Sequence, residues 1–164
     1  MKLYYTYKAV ELYHGDYREV LPQLKTASVD LLLTDPPYAT TCLPWDKAVD
    51  WMLFWQIIER LCRASSPMVL FASGLFTIKL INSNPKCFRY ELIWEKNMPV
   101  GFLDAKRRPL RSHENILIFI RKFRGSIYNP QMVEGKLHKY GGTGKSAKHY
   151  STQRSTPAKV SSQY

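Results

Sequence analysis

Val29-Asp30-Leu31-Leu32-Leu33-Thr34-Asp35-Pro36-Pro37-Tyr38 decides how this chain is read. Val29 to Thr34 is a mostly apolar run of strand length, as for a parallel strand buried in a sheet. It stops at Asp35, because two prolines in succession have fixed φ and no N–H to give a ladder. Outward from it, strand and helix patterns alternate. Upstream, Val10 to His14 reads as a strand. Asp16 and Glu19 after it have capping-box spacing, for a short helix from Tyr17 to about Leu21 that Pro22 ends. Downstream, residues 39–49 read as a loop. Asp50 caps a helix reaching about Arg63, with Leu53, Phe54, Ile57, Ile58 and Leu61 at helical spacing. Met68 to Phe71 is a third strand, and Ser73 caps a helix from about Leu75 to Asn82. Tyr90 to Glu95 and Glu114 to Arg121 read as two later, antiparallel strands. Strand, helix, strand, helix, strand predicts a parallel α/β sheet.

Open α/β sheets bind ligands beyond the carboxyl ends of their strands, where Asp35-Pro36-Pro37-Tyr38 stands. Asp35 supplies an acceptor carboxylate. Pro36 precedes a proline and is held extended, so its carbonyl is a rigid second acceptor. Tyr38 adds an aromatic face with a polar tip. Two acceptors and a stacking platform suit a planar group bearing an NH₂. Acceptors on both N–H bonds favour a pyramidal nitrogen and localise its lone pair for in-line attack on an electrophilic methyl. Tyr38 then stacks on a base taken out of the duplex. The work is positioning and electrostatics, and Asp35 can also take the proton the amine loses. The plain alternative is a strand-ending turn, since Asp-Pro is a turn signal. The Gly15-Asp16 turn, the helix and the Leu-Leu-Leu strand before it favour the site.

The 164 residues suit one domain with a buried core, and 45% hydrophobic content argues against wholesale disorder. The longest uncharged run, Ala64 to Ile78, is 15 residues, short of the ~20 a spanning helix needs. The amino terminus has no apolar signal-peptide core, so the expected location is cytoplasmic. Cys42, Cys62 and Cys87 form no Cys-x-x-Cys pair and read as reduced thiols, Cys62 in the core. No metal site is expected. Residues 1–100 carry 11 basic and 10 acidic side chains, whereas residues 101–164 carry 13 and 3. A balanced part joined to a basic part suits a catalytic body with a polyanion-binding extension, or a basic tail that is merely solvated. Lys106, Arg107, Arg108 and Arg111 are the densest basic cluster. They suit phosphate contacts, with a solvated loop as the alternative.

Several further stretches accompany the tetrapeptide. They are Thr40-Thr41, Trp45-Asp46, Leu70-Phe71-Ala72-Ser73, Phe88 to Lys96, Pro109 to Asn115 and Tyr128-Asn129-Pro130-Gln131. With them the chain resembles the S-adenosylmethionine-dependent DNA amino-methyltransferases, which modify adenine N6 or cytosine N4. Within that family it resembles the group, often found in phages and restriction–modification systems, whose catalytic half precedes the cofactor-binding half. The match covers roughly residues 10 to 134.

The resemblance implies a partial Rossmann-like methyltransferase sheet, mostly parallel with late antiparallel strands, and a basic irregular C-terminal extension. Residues 1–124 would be the catalytic half. Residues 125–164 would be a loop or tail, part of the target-recognition region or disordered. The cofactor implied is S-adenosylmethionine and the partner double-stranded DNA. Asp35, Pro36, Pro37 and Tyr38 would be catalytic. Asp as the first of the four favours adenine. Asp35 and Asp16 would face the cofactor, and a plain helix cap is an equal reading of Asp16. Thr40, Thr41 and Trp45 would shape the loop over the flipped base, or be solvated. Trp94 falls near the family's target pocket, with a core tryptophan as the plainer reading. His113 and Glu114 read as structural.

The family binds its cofactor at a strand ending in Phe-x-Gly-x-Gly. Only Tyr140-Gly141-Gly142-Thr143-Gly144 comes close, and neither an apolar strand precedes it nor an apolar helical face follows. Gly144-Lys145-Ser146 fails as a phosphate-binding loop, because Lys139 stands where its first glycine belongs. The reading is therefore an amino-terminal, catalytic half: truncated, split, or decayed. A missing C-terminal half or a second subunit would complete it. On that account the apolar faces of Val29 to Leu33 and Met68 to Phe71 lack a neighbour on one side. Two alternatives stand, a non-catalytic DNA-binding remnant and an RNA amino-methyltransferase.

Overall fold

The computed structural model describes residues 3–131. Residues up to Ile127 belong to one unit, and residues 128–131, which begin a second, have no regular structure. The glycine-rich run at 141–144 and the basic tail lie outside the described residues.

The chain starts with a feature the hydropathy pattern does not announce. β1 (Leu3–Tyr7) pairs antiparallel with β2 (Val10–Tyr13), and Lys8 makes the turn with φ +53. All of β1 is exposed. Val10 to His14 was expected to open the parallel sheet; instead its ladder partner is the sequence immediately before it. The next two elements are α1 (Tyr17–Val20), capped by Asp16, and a 3₁₀ turn over Leu21–Gln23 that carries Pro22.

The main sheet holds β3 (Leu32–Thr34), β4 (Met68–Ala72), β6 (Arg111–Phe119) and β5 (Phe88–Val100), in that spatial order. β3 and β4 are parallel. β6 is antiparallel to both β4 and β5, so three of the four strands point one way and the late antiparallel strands are as expected. β5 is longer than expected and tolerates Pro99 because it is an edge strand.

α2 (Trp51–Leu61) and α3 (Leu75–Ser83) pack on one face of this sheet. The Asp50 carboxylate caps α2 by accepting the Leu53 N–H at 3.1 Å. The helix buries Phe54, Ile57, Ile58 and Leu61 of the stripe its spacing predicts; Trp55 is buried with them, and Leu53 is only half-buried. Against it lie Met68, Leu70 and Ala72 of β4 with Leu117 and Phe119 of β6, all 1% exposed or less, plus Phe76 and Leu80 of α3. The Trp55 indole N–H reaches Ser83 Oγ at 2.8 Å, so its polar atom is satisfied inside the core. The cap of α3 is a correction. It is Gly74, at φ +57, with no side-chain cap bond, because the Ser73 hydroxyl accepts from Arg111 Nη1 at 2.9 Å instead.

The opposite face carries no helix among the described residues. Register places Leu33, Val69, Ile118 and Tyr90 in one row across it and Phe71, Ile116 and Leu92 in the next. Leu33 is 62% exposed and Leu92 52%. The run Val29 to Thr34 is thus apolar on both faces but buried on one. β3 is short and lies at the sheet edge, which corrects the expectation of a fully buried strand. Trp94 is also not a core residue. It is more than half exposed on this bare face, edge-on to Phe71 with ring centroids 6.1 Å apart. Cys62 and Cys87 are buried and Cys42 exposed, all three as free thiols. No helix among the described residues is long and apolar enough to cross a membrane.

Candidate active site

β3 ends at Thr34, and the next four residues line a cavity of about 250 Å³ together with Thr40, Thr41, Trp45 and Asp46. Seven of these eight positions are site candidates read from the sequence, so one cavity gathers the tetrapeptide and the loop expected to lie over it. Asp46 is the addition.

Within the cavity Asp35 is exposed, Pro36 buried, and Pro37 and Tyr38 half-buried. The Tyr38 ring lies flat on Phe76 from α3, with centroids 4.4 Å apart and planes 20° from parallel. One ring face is thus backed by the core, which leaves the cavity side for a ligand. The Tyr38 hydroxyl is buried and has no hydrogen-bond partner among the described residues. Burial and, after it, the neighbouring Asp35 carboxylate push its pKa well above the ordinary value, so it stands as a neutral phenol.

The loop past Tyr38 is shaped by one carboxylate. Ala39 has φ +53, a left-handed conformation costing a non-glycine residue about 1–2 kcal/mol. That turn points successive backbone N–H groups the same way, a concavity suited to an anion. Asp46 fills it. Ala39 N–H donates to Asp46 Oδ1 at 2.7 Å, and Thr40 N–H, Thr41 N–H and the Thr41 hydroxyl donate to Oδ2 at 2.8, 2.6 and 2.8 Å. Burial opposes the charge on Asp46. The bonds from Thr41, Ala39 and Thr40 outweigh it and hold the carboxyl below the usual aspartate value. Asp46 was quoted in the sequence only as part of Trp45-Asp46. No sequence signal singles it out, because its burial and its backbone partners exist only in the fold.

Asp16 does not line this cavity. It caps α1, and both its oxygens bind the Arg18 side chain, the closest contact 2.5 Å to Nη2. Those bonds lower its pKa to about 2. The basic cluster is divided. Arg108 pairs with Asp104 at 2.8 Å, and Arg111 is tied to Ser73 close enough for its charge to act on Tyr38. Lys106 and Arg107 have no ion-pair partner among the described residues. Glu114 pairs with Lys96 at 2.6 Å, in line with the structural reading of that strand. No cluster of three metal-ligating side chains occurs among the described residues.

No protein-family model matches the chain, and no curated protein matches it in sequence. Solved structures do. The crystal structure of M1.HpyAVI superposes with a TM-score of 0.57 at 23% identity, over 76% of this chain and 64% of that one. The M1.HpyAVI–SAM complex gives 0.55 at 22%, over 76% and 63%. The PvuII DNA methyltransferase (cytosine-N4-specific) gives 0.55 at 16%, over 69% and 49%. The chain thus has the α/β fold of a DNA methyltransferase, and it spans less than two thirds of the length of each of these structures.

Proposed function

We propose that this chain is the catalytic half of a cytoplasmic DNA amino-methyltransferase that uses S-adenosylmethionine and acts on adenine N6 in double-stranded DNA. The observation that carries the reading is the cavity at the carboxyl end of β3. It is walled by Asp35, Pro36, Pro37 and Tyr38 on a sheet of DNA-methyltransferase fold.

In this reading the extruded base stacks on the cavity side of Tyr38 and extends the ring pair that Phe76 begins. The Asp35 carboxylate and Pro36 carbonyl accept the two N–H bonds of the exocyclic amine and turn its lone pair toward the donor. Asp35 then takes the proton that the amine loses on methylation. Thr40, Thr41 and Trp45, set by Asp46, close over the base. Asp as the first residue of the tetrapeptide favours adenine over cytosine. S-adenosylmethionine, when bound, supplies the electrophilic methyl.

The described residues fit the methyl acceptor better than the donor. Asp35 faces the shared site, whereas Asp16 spends its carboxylate on Arg18. None of the described glycines, Gly15, Gly74, Gly101 and Gly125, stands in an aromatic-x-Gly-x-Gly run. The rest of the donor pocket is assigned to a C-terminal half or a second subunit, joined beyond residues 1–124.

The test is Asp35→Ala in the enzyme reconstituted with that complement. Methyl transfer to duplex DNA should fall by about 10²–10⁴-fold with DNA affinity retained. Near-normal turnover would remove Asp35 from the chemistry. Transfer to RNA in preference to DNA would change the substrate. DNA binding without transfer by any reconstituted form would leave a non-catalytic remnant.

A further inference from the structure

The connection between β5 and β6 presents two large apolar side chains to water. Phe102 is 75% exposed and Leu103 87%, on a 3₁₀ turn over Phe102–Asp104. The turn is held firmly. Gly101 enters it at φ +95, Asp104 N–H donates to Gly101 O at 3.0 Å, and Arg107 N–H to Asp104 O at 2.8 Å. Arg108 locks onto the Asp104 carboxylate. Lys106 and Arg107 beside it carry charge with no ion-pair partner among the described residues.

Register fixes where this turn stands. Ala72 pairs with Asn115 and Asn115 with Ile93, at the carboxyl edge where Asp35 emerges from the neighbouring β3. From Ile93 the strand continues to Val100, bulging between Glu95 and Val100; its partner strand covers the same stretch from Asn115 to Arg111, so at ~3.3 Å per residue the tip stands roughly 13 Å beyond that edge. A duplex lying on the edge, with a base drawn toward Asp35, would have the tip against its stack.

We propose that Phe102 and Leu103 form a wedge that enters duplex DNA and fills the space left when a base leaves the stack, with Lys106 and Arg107 on the flanking phosphates. This rests on the DNA-modifying reading above. Extruding a base costs stacking, and apolar side chains inserted between base steps are a general way of holding a duplex open. A flexible loop would lose that gain to ordering, whereas this turn is already ordered. A lipid surface could also take an apolar tip with flanking cations. Duplex DNA is favoured because the tip rises from the same sheet edge as the base cavity.

The experiment needs no knowledge of the target sequence. Closed-circular plasmid is relaxed by a topoisomerase in the presence of the full chain, and unwinding is measured per protein bound. The chain should unwind the plasmid. The double variant Phe102→Ala, Leu103→Ala should unwind at least five-fold less per bound protein, with the salt dependence of binding unchanged and Phe102→Trp restoring the effect. The pair Lys106→Ala, Arg107→Ala should bind more weakly yet unwind normally per bound protein. Both sites are exposed, and circular dichroism checks that each variant folds. Equal unwinding by the Phe102/Leu103 variant, or binding without unwinding by the unaltered chain, overturns the wedge and leaves the catalytic reading standing. No plasmid binding at all overturns both. Binding to phosphatidylglycerol vesicles in place of plasmid, lost in the Phe102/Leu103 variant, overturns the wedge in favour of a membrane surface.

Discussion

Tyr38 and Asp46 show how the cavity is held before any ligand arrives. Tyr38 lies against Phe76, but its hydroxyl is buried without a hydrogen-bond partner among the described residues, and a buried unsatisfied hydroxyl costs about 1–3 kcal/mol. Tyr38→Phe should therefore stabilise the isolated chain by about 1 kcal/mol and raise its melting temperature by a few degrees in calorimetry. Asp46 gives a prediction in pH. Its carboxyl lies below the ordinary aspartate value in the folded loop, so the loop's stabilisation is complete above about pH 4, the unfolded value. It is lost as pH falls through the lower, folded value. Amide exchange at Thr40 and Thr41 should quicken over that acid range. In Asp46→Asn it should be fast at every pH, because one amide oxygen cannot replace two carboxylate oxygens that accept four bonds.

Elements differed in how plainly their sequences announced them. α2 is legible because its cap and its apolar stripe agree. Asp50→Ala should cost about 1 kcal/mol of stability by denaturant titration. The hairpin of β1 and β2 was not legible, since its exposed tyrosines show no buried face to read. Spacing alone makes Ser73 the cap of α3, whereas the sheet order brings it a distant partner, Arg111. The tetrapeptide and Thr40, Thr41 and Trp45 were legible as candidates, and they line one cavity, but the carboxylate that organises the loop was not legible. Its partners are backbone N–H groups, which leave no mark in a sequence. The basic cluster was visible as charge but not as a pairing pattern. Arg108 and Arg111 already have partners, so Lys106→Ala with Arg107→Ala should account for most of the cluster's phosphate contacts. It should reduce the log–log salt slope of duplex binding by about 1.8, at 0.9 per contact. A larger fall when Arg108→Ala and Arg111→Ala are added to that pair would mean that the Asp104 and Ser73 pairings open on DNA.

At the scale of the whole molecule the sheet is covered by helices on one face, and no described residue forms a helix on the other. In a sheet with antiparallel ladders a solvated face ordinarily carries polar residues. Here Leu33, Leu92 and Trp94 are each more than half exposed and lie in neighbouring rows with Phe71 and Ile116. Such a face draws other apolar surface to it, since contiguous exposed apolar patches are rare on monomers. The isolated chain should therefore bind a hydrophobic dye and sediment with a mass that rises with concentration. The signature of this face, as distinct from charge-driven contact, is its response to salt. Basic surfaces repel one another less as salt screens them, so association should strengthen between low and moderate salt despite a net charge of +11. Leu33→Lys with Leu92→Lys should abolish it at little cost to folding, because neither side chain is buried and surface changes usually cost within about 0.5 kcal/mol. An unchanged mass in that double variant would put the association elsewhere, with the exposed β1–β2 hairpin the next surface to alter.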